Sequence, residues 1–411
     1  MQADLHPVLK EYNGSVAVVV GSHVTGLGIV RTLAAGEIPI LVLDYEANPA
    51  AFSRHVMQTL LCDYRRDWGQ FVGLLCSIGM QLRNKAVLYL SDERYCVLCA
   101  QSWEQLEPYF YAPFNPLNVT ATVSKARQLD LCQKNAIPTP WVFTLQTPGD
   151  LAALLDDAHN LPYPLIVRPF DKSEYFDSAN PFRIMYISNR QDLMDSQSKL
   201  AAEFTHGLVV AEYIPGGPNH NWGMVAYCDE QHRVVAGYTR VKISQYPYQG
   251  GTATIMAAPF NDRIWELGCR ICQALEIIGP AAIEMKFDYR DNQYKYIETN
   301  FRYPRSGAMA LQCGVLVPLA QYYHLTEQHD NLKALRQEQR EDGGIYIEAL
   351  WEWINVLENR PRTEHLARLL KAYGAPKRTW AIWDWNDPRP GLVFGCRLVG
   401  KALKRLIGIK R

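Results

Sequence analysis

The segment Ala281–Arg302 carries acidic, amide and basic side chains at spacings that suit metal and phosphate chemistry. Apolar and polar residues alternate on both sides of a polar turn, which predicts a β-hairpin. In a symmetric hairpin Glu284 lies directly opposite Glu298, with the two side chains about 5 Å apart on one face. Asn300 and Arg302 continue that face. Two carboxylates at this separation repel each other unless a cation lies between them.

Glu284, Glu298 and Asn300 therefore form a candidate metal site. Carboxylate and amide oxygens suit Mg²⁺, which keeps several waters and usually also binds phosphate oxygens, and Mn²⁺ is an alternative ion. The competing interpretation is that both acids are solvated on an exposed sheet face. That interpretation explains Glu284 alone, but it explains poorly why the second strand and its loop carry Glu298, Asn300, Arg302 and Arg305. Nothing in that run favours an ordinary strand, so the metal interpretation is preferred.

Length and composition limit the class of protein. The 411 residues are too many for one compact core, and equal numbers of basic and acidic residues, 42 each, argue against a protein that wraps nucleic acid. Ten scattered cysteines without two CxxC pairs indicate buried thiols in a reducing compartment and no zinc site. The N-terminus is not a signal peptide, and the longest apolar stretch, Val16–Val20, is far too short to span a membrane. A cytoplasmic protein is predicted.

The N-terminal part reads as a parallel α/β unit. Ser15–Gly28 is an apolar run followed by glycines and a helical pattern, and a second apolar run, Ile38–Leu43, ends in Asp44. The glycine spacing does not match GxGxxG. Dinucleotide binding with Asp44 at the ribose is one interpretation, and tight strand–helix packing or a substrate pocket at the carboxyl edge of the sheet is the other.

The order of predicted strands and helices changes in the middle of the chain. Prolines between residues 108 and 116 interrupt regular structure and suggest a boundary near residue 115. Leu208–Asn300 is rich in strands, with a single helix near Asp262–Leu275. Strands and helices occur there in runs and not in alternation, so the predicted fold class is α/β followed by α+β.

Four segments resemble a known family in the order expected for it. ETNFRYPRSGAMA (298–310) resembles the metal-binding strand and loop of ATP-grasp enzymes, and that strand is also similar to the one in the carbamoyl-phosphate synthetase large subunit. The helix containing Lys125, YPLIVRP (163–169) and VVAEYIPGG (209–217) resemble other parts of that fold. RVKISQYPYQGGTAT (240–254) is similar to D-aspartate-ligase-like carboxylate–amine ligases. The resemblance covers about residues 15–330.

This resemblance implies an ATP-grasp fold in four parts. They are a Rossmann-like pre-ATP-grasp domain (1–115), a small lobe (116–206), a catalytic lobe (207–330) and a C-terminal extension (331–411). The two lobes form the ATP-binding region.

The resemblance also implies a reaction: an enzyme that uses MgATP to join a carboxylate to an amine through an acyl phosphate, releasing ADP and phosphate. Both substrates would be small molecules, and pairwise association into a homodimer would be typical. Two alternatives are an ATP-grasp carboxylase or carbamoyl-phosphate-synthetase-like enzyme that uses bicarbonate, and a non-catalytic nucleotide-binding protein.

For ATP itself the resemblance implies Lys125, Arg168, Lys172, Glu212, Tyr213, Ile214 and Asn219. The first three are basic and would face the phosphates, and the next three form a hinge that would bind the adenine edge. The usual glycine-rich lid is missing, because no glycine occurs between Gly149 and Gly207, and Lys172 is the suggested substitute. Asn219 stands where an acidic ribose ligand is expected.

The resemblance also implies roles for four further basic residues. The resemblance places Arg302 opposite the transferred phosphate or acyl phosphate, with Arg305 as its helper. Arg240 and Lys242 would lie near the phosphates or a substrate carboxylate, although a solvated basic strand face is the alternative.

Residues 331–411 carry little family signature. Their tryptophan-rich segments are typical of a lobe interface. The last 21 residues contain basic side chains and no acid, and Leu392, Val399, Leu403 and Leu406 fall near one helical face. Such a tail either docks on its own protein or contacts an anionic membrane at the cytosolic face.

Overall fold

The computed structural model shows three β-sheets with helices packed around them. The structure describes residues 4–63, 65, 67–116, 118–119, 123–169, 184–203, 207–247, 250–335, 339, 343–359 and 361–406, without the side chains of residues 203 and 401–406. Lys172 lies outside the described residues.

The first sheet is parallel, as the α/β pattern predicts, with the strand order β3-β2-β1-β4-β5. The strands are β1 (Ala17–Val20), β2 (Ile40–Asp44), β3 (Val56–Leu61), β4 (Ala86–Leu90) and β5 (Phe110–Tyr111). The helices are α1 (Pro7–Glu11), α2 (Val24–Leu33), α3 (Trp68–Gly79), α4 (Glu93–Gln101) and α5 (Trp103–Leu106), with 3₁₀ turns at Ala34–Gly36 and Pro49–Phe52. Strands β1, β2 and β4 are buried along their whole length, which is why each is a continuous apolar run.

The glycine-bearing turn after β1 serves packing. The buried carboxylate of Asp44 accepts hydrogen bonds from the Ser22 N–H (2.6 Å) and the Tyr45 N–H (2.7 Å), so it braces this turn and is not available to a ribose. A Cβ on Gly28 would lie 2.8 Å from the Ala308 nitrogen, so only glycine lets α2 approach that loop closely. The dinucleotide interpretation is therefore wrong.

The second sheet is antiparallel, in the order β6-β9-β7-β8. Its strands are β6 (Val142–Leu145), β7 (Leu165–Pro169), β8 (Met185–Ile187) and β9 (Leu208–Glu212). The helices are α6 (Lys125–Lys134), α7 (Pro148–Asp156), α8 (Arg190–Asp195) and α9 (Gln197–Glu203). Helix α7 begins at a capping box in which Thr147 and Asp150 satisfy each other's backbone N–H groups. The β7–β9 register pairs Arg168 with Val209, next to the hinge.

The third sheet has seven strands in the order β14-β13-β10-β11-β12-β15-β16. They are β10 (Asn221–Cys228), β11 (Val234–Tyr246), β12 (Thr252–Ala257), β13 (Gly279–Asp288), β14 (Gln293–Asn300), β15 (Ile345–Ile347) and β16 (Arg378–Trp380). The helices are α10 (Asp262–Ala274), α11 (Ala310–Cys313), α12 (Val317–Leu325), α13 (His329–Ala334), α14 (Ala349–Glu358), α15 (Arg362–Tyr373) and α16 (Arg389–Leu406), with 3₁₀ turns at Pro218–His220 and Arg305–Met309. The predicted helix near 262–275 is confirmed.

The C-terminal extension is part of this architecture. Strand β15 pairs with β12, so the extension adds two strands to the edge of the third sheet. Asp387 forms a buried ion pair with Arg31 of α2 (3.1 Å) and accepts a hydrogen bond from Ser53 (2.8 Å). The extension therefore joins the first and third sheets.

Helix α16 packs against the Pro49–Phe52 turn but leaves one apolar side in solvent. Leu392 is 55% exposed and Val399 is 59% exposed. No helix in the described part of the chain is both long and apolar enough to cross a bilayer.

Candidate functional site

Strands β13 and β14 form the predicted hairpin and place Glu284 opposite Glu298. The turn pairs Asp288 with Gln293, a register that differs by one residue from that of the two acids. A β-bulge that adds Ile297 to β14 makes up this difference. The two carboxylates consequently lie on one face of the sheet, as the alternation predicts.

A row of residues crosses four strands on that face: Arg240 on β11, Gly223 on β10, Glu284 on β13 and Glu298 on β14. Gly223 has no side chain, so Arg240 reaches across β10 and its Nη2 donates to Glu284 Oε1 at 2.9 Å. Lys242 Nζ lies 3.3 Å from the other oxygen of Glu284. Arg240 is only 3% exposed, so the solvated-face interpretation of this residue is wrong.

Glu298 receives its cations from the second sheet and its helices. Lys125, the first residue of α6, donates to Glu298 Oε2. Arg168 of β7 donates to the same oxygen at 3.2 Å and to the Ile297 carbonyl at 3.1 Å. These contacts join the second and third sheets, and the region where the two sheets face each other is called the cleft below.

Two buried arginine nitrogens in the cleft have no acceptor among the described residues. Neither Arg168 Nε nor Arg240 Nε has a hydrogen-bond partner in the described part of the chain. Lys286 follows Glu284 on the same face of β13 and is 9% exposed. Its Nζ lies 4.7 Å from the Tyr213 ring centre, and it forms no ion pair with the described residues. Buried donors left without acceptors cost stability, and an anionic ligand would satisfy them.

Burial, reinforced by the nearby charge of Lys242, lowers the pKa of Lys286 to about 8, and Asp288 opposes the shift. Holding this ammonium charged in the folded protein is therefore unfavourable. A positive group kept at such a cost is typical of a functional site.

Replacing Lys286 with Met should stabilise the unliganded protein at pH 7. The folded-state pKa of about 8 lies below the ordinary value of 10.5, so below pH 8 folding carries the whole cost of burying the charge, roughly 3 kcal/mol. Between pH 8 and 10.5 the folded wild type loses a proton that the unfolded chain keeps, so the wild type becomes more stable as the pH rises. The extra free energy of unfolding of Lys286→Met over the wild type should therefore decrease. Urea denaturation at pH 7 and 9.5 measures this difference.

Lys333→Met is the matched control, because Lys333 is exposed on α13. It should leave the free energy of unfolding nearly unchanged at both pH values. A Lys286→Met protein that is less stable at pH 7, or equally stabilised at both pH values, would contradict the assignment of a buried charge.

The hinge after β9, formed by Glu212, Tyr213 and Ile214, is held by an ion pair and by hydrogen bonds. Glu212 pairs with Arg290 and accepts from the Trp141 N–H at 3.3 Å. The Tyr213 N–H donates to the Pro164 carbonyl at 2.8 Å. Of the hinge residues described, Ile214 alone has neither its N–H nor its carbonyl in a hydrogen bond with the described residues.

Asn219 and Asn221 differ in their contacts in the turn that follows the hinge. Asn221 Nδ2 donates to the Pro218 carbonyl at 3.2 Å and so holds the turn together. The side chain of Asn219 is exposed and makes no hydrogen bond with the described residues, which leaves it available to a ligand hydroxyl.

The loop after β14 carries both predicted catalytic arginines. Arg302 donates to the Tyr303 carbonyl at 3.2 Å and lies 3.5 Å from Asn300 Oδ1. Arg305 turns toward the C-terminal extension, where its Nη2 lies 3.0 Å from Glu348 Oε2. The hydroxyl of Ser306 accepts from Arg240 Nη1 at 2.6 Å. Arg240 therefore links this loop to Glu284.

Comparison with known proteins connects this cleft to a family, although no family model matches the chain. The chain is 22% identical over 304 residues to a D-aspartate ligase of Enterococcus faecium (strain Aus0004), which covers 71% of this chain and 72% of that protein. This similarity agrees with the resemblance to ATP-grasp carboxylate–amine ligases that the sequence motifs predict. The predictions of the family and of an enzyme are thereby confirmed.

Solved structures show the same ATP-grasp fold. An ADP complex of N5-carboxyaminoimidazole ribonucleotide synthetase superposes with a TM-score of 0.62 at 14% identity and covers 87% of this chain and 86% of its own. An L-amino acid ligase from Bacillus licheniformis gives a TM-score of 0.56 at 14% identity, with 79% and 78% covered. The fold prediction is confirmed.

Two neighbouring ion-pair clusters contain six of the predicted site residues: Glu298 with Lys125 and Arg168, and Glu284 with Arg240 and Lys242. The other described site residues lie along the hinge or on the loop after β14. Sequence reasoning missed Gly223, Lys286, Ser306 and Glu348. Lys286 could have been found, because it shares the alternation of Glu284 on β13. The residues around Glu348 contain no motif that would indicate its contact with Arg305.

Proposed function

We propose that this ATP-grasp chain joins a carboxylate to an amine at the expense of ATP, through an acyl phosphate. The observation that carries the proposal is the opposed pair Glu284 and Glu298, surrounded by cations from both walls of the cleft. The likeness to a D-aspartate ligase supports a ligase reaction of this type, with an amino acid as the class of amine to test first.

ATP would lie in the cleft between the second and third sheets. Its phosphates would accept from Lys125, Arg168, Arg240, Lys242 and Lys286. The donors without acceptors, Arg168 Nε and Arg240 Nε, support this placement. The Ile214 backbone would bind the adenine edge, with Glu212 and Tyr213 fixing the hinge, and Asn219 would contact the ribose.

The donor set fits Mg²⁺ together with phosphate. The described residues contain no group of three or more His, Cys, Asp or Glu side chains able to hold a metal ion alone. Two carboxylates and the Asn300 amide oxygen are therefore too few for a closed protein cage, but they suit an ion that also takes water and phosphate oxygens. When bound, Mg²⁺ or Mn²⁺ would neutralise phosphate charge and hold the ATP phosphates in register. Glu284, Glu298 and Asn300 would be its protein ligands.

The reaction would proceed in two displacements. A carboxylate oxygen attacks the γ-phosphorus of ATP, the bond to the bridging oxygen breaks, and ADP leaves. The neutral amine then attacks the acyl carbon, the bond to the phosphate oxygen breaks, and phosphate leaves while the nitrogen loses a proton. Phosphoryl transfer requires alignment and charge neutralisation more than covalent help. Arg302 would stabilise the acyl phosphate and the oxyanion formed during amine attack.

An isotope experiment tests this sequence. The substrate pair is first found by measuring ADP release with a matrix of carboxylic acids and amino acids. The active carboxylate is then supplied with ¹⁸O in its carboxyl group. An acyl-phosphate route transfers one ¹⁸O atom into the released phosphate, which mass spectrometry detects. Turnover without that transfer would contradict the mechanism, and MgATP binding without turnover on any pair would favour a nucleotide-binding protein.

We further propose that α16 lets the chain contact an anionic membrane. Its exposed Leu392 and Val399 lie on a segment that has basic residues and no acid from residue 388 onward. Co-sedimentation with phosphatidylserine vesicles should be lost at high salt, and equal binding to neutral vesicles would contradict it. Homodimer formation and a cytoplasmic location stay predictions.

A further inference from the structure

An arginine in the turn between β13 and β14 is held in one orientation by a buried acid. The carboxylate of Asp288, the last residue of β13, is fully buried. Arg290 Nε donates to Asp288 Oδ1 at 2.8 Å, and Arg290 Nη2 donates to Oδ2 at 2.6 Å. Lys295 Nζ adds a third contact with this carboxylate at 2.7 Å. Two parallel N–H···O bonds to one carboxylate fix the plane of a guanidinium, so Arg290 has little freedom to turn.

The same guanidinium also reaches the hinge. Its Nη2 donates to Glu212 Oε1, and Glu212 is the last residue of β9 in the second sheet. Because one nitrogen binds both acids, the carboxylates of Glu212 and Asp288 are neighbours that would repel each other without the guanidinium between them. Arg290 therefore links the hinge to β13, the strand that carries Glu284.

Glu212 can accept a further hydrogen bond. An ionised carboxylate has about four lone-pair sites. Among the described residues, the Glu212 carboxylate accepts from Arg290 and, at 3.3 Å, from the Trp141 N–H. Its side chain is 12% exposed. A donor on a ligand at the hinge can therefore reach an acceptor whose position Arg290 fixes.

The hinge presents a donor as well as this acceptor. The N–H of Ile214, two residues after Glu212, is in no hydrogen bond with the described residues. A 6-aminopurine has a donor at its exocyclic nitrogen and an acceptor at N1, whereas a 6-oxopurine has an acceptor and a donor at these two positions. The Glu212 carboxylate and the Ile214 N–H complement the 6-aminopurine, and a 6-oxo group would bring its oxygen against a carboxylate.

We propose that Arg290 is a positioning residue that holds the Glu212 carboxylate toward the purine and so makes the chain selective for a 6-aminopurine nucleotide. This inference rests on the proposed function, which puts the base at the hinge. Arg290 does not itself contact the nucleotide. It acts through Glu212, and Asp288 holds it in place.

Calorimetry with ADP and inosine diphosphate, each with Mg²⁺, tests the proposal without turnover. The two nucleotides differ only at the 6-position and N1 of the purine, so the ratio of their Kd values isolates recognition of that edge. The wild type should prefer ADP about a hundredfold. Arg290→Met removes a positive charge and weakens binding of both nucleotides, but it should also lower the preference about tenfold. Arg290→Lys keeps a donor for Glu212 and should recover part of the preference.

Two further variants separate positioning from a structural role. Arg233→Met is the matched control, because Arg233 binds Asp229 in the turn between β10 and β11, with Nε 3.0 Å from Oδ2, and forms no ion pair with the described hinge residues. It should leave the preference unchanged. Glu212→Gln should lower the preference as much as Arg290→Met, and the double variant should lower it no further, because both changes remove the same interaction. Thermal melts confirm that the variants are folded.

The outcomes are distinguishable. A wild type that binds ADP and inosine diphosphate equally well overturns the role of Arg290 and leaves the proposed function standing. An unchanged preference in folded Arg290→Met, or additive losses in the double variant, also overturns it. Absence of binding of either nucleotide to the wild type contradicts the proposed nucleotide site itself. Should Arg290→Met fail to fold, Glu212→Gln and Arg290→Lys decide, and a preference equal to that of the wild type in both overturns the inference.

Discussion

Replacing Glu298 with Gln should reduce ADP formation at least a hundredfold, about the loss expected when one charged group is removed from such a site. The substitution removes the negative charge that two cations, Lys125 and Arg168, share across the cleft. It also removes one of the two carboxylates proposed to bind Mg²⁺. The amide oxygen can still accept hydrogen bonds, so the protein should melt in one cooperative transition. Steady-state ADP release and thermal unfolding measure the two effects.

Glu266→Gln provides the matched control, because Glu266 is exposed on α10 and makes no ion pair with the described residues. Its rate should equal that of the wild type. A Glu298→Gln protein that remained as active as this control would remove Glu298 from the metal site and with it the main support for the proposed reaction.

Arg302→Met should lower kcat at least a hundredfold while changing the Kd for MgATP less than about threefold. Among the described residues the side chain donates hydrogen bonds to the Tyr303 carbonyl and the Asn300 amide oxygen and forms no ion pair, so its loss breaks no ion pair there. Its proposed role is to stabilise charge that develops during transfer, which affects kcat more than nucleotide binding. Single-turnover kinetics and nucleotide titration separate the two quantities.

Arg302→Lys keeps the positive charge and should recover part of the rate, whereas a merely structural arginine would show no such recovery. Arg190→Met controls for loss of an arginine, because Arg190 is exposed on α8 and its side chain forms no hydrogen bond or ion pair with the described residues. Loss of MgATP affinity equal to the loss of kcat would assign Arg302 to nucleotide binding and not to the transfer step.

Local patterns were sufficient for much of this fold. The buried parallel strands, helix α10 and the hairpin of Glu284 and Glu298 each follow from periodicity over about ten residues. Glu284 and Glu298 face each other because of a bulge at Ile297 of β14. The alternation of apolar and polar residues does not reveal this bulge, because the extra residue in β14 leaves the pattern of β13 unchanged.

Contacts between distant segments could not be predicted. Arg240 has two interpretations in the sequence, and only the three-dimensional structure shows that Gly223 lets it cross a strand to Glu284. Glu348 is distant in sequence from Arg305, and nothing near it indicates an active-site role. The C-terminal extension has little family signature, yet it contributes two strands to the third sheet and the partner of Arg305.

The ion pair between Arg31 and Asp387 has a consequence for how the protein is made. Its two residues are separated by 356 positions, so the first domain leaves the ribosome with an arginine whose acidic partner has not yet been synthesised. One edge of strand β12 likewise has no partner until β15 has been synthesised. Contacts of such long range form late and slow folding. We therefore expect the nascent chain to remain incompletely folded, and open to chaperone binding, until the ribosome has passed Asp387.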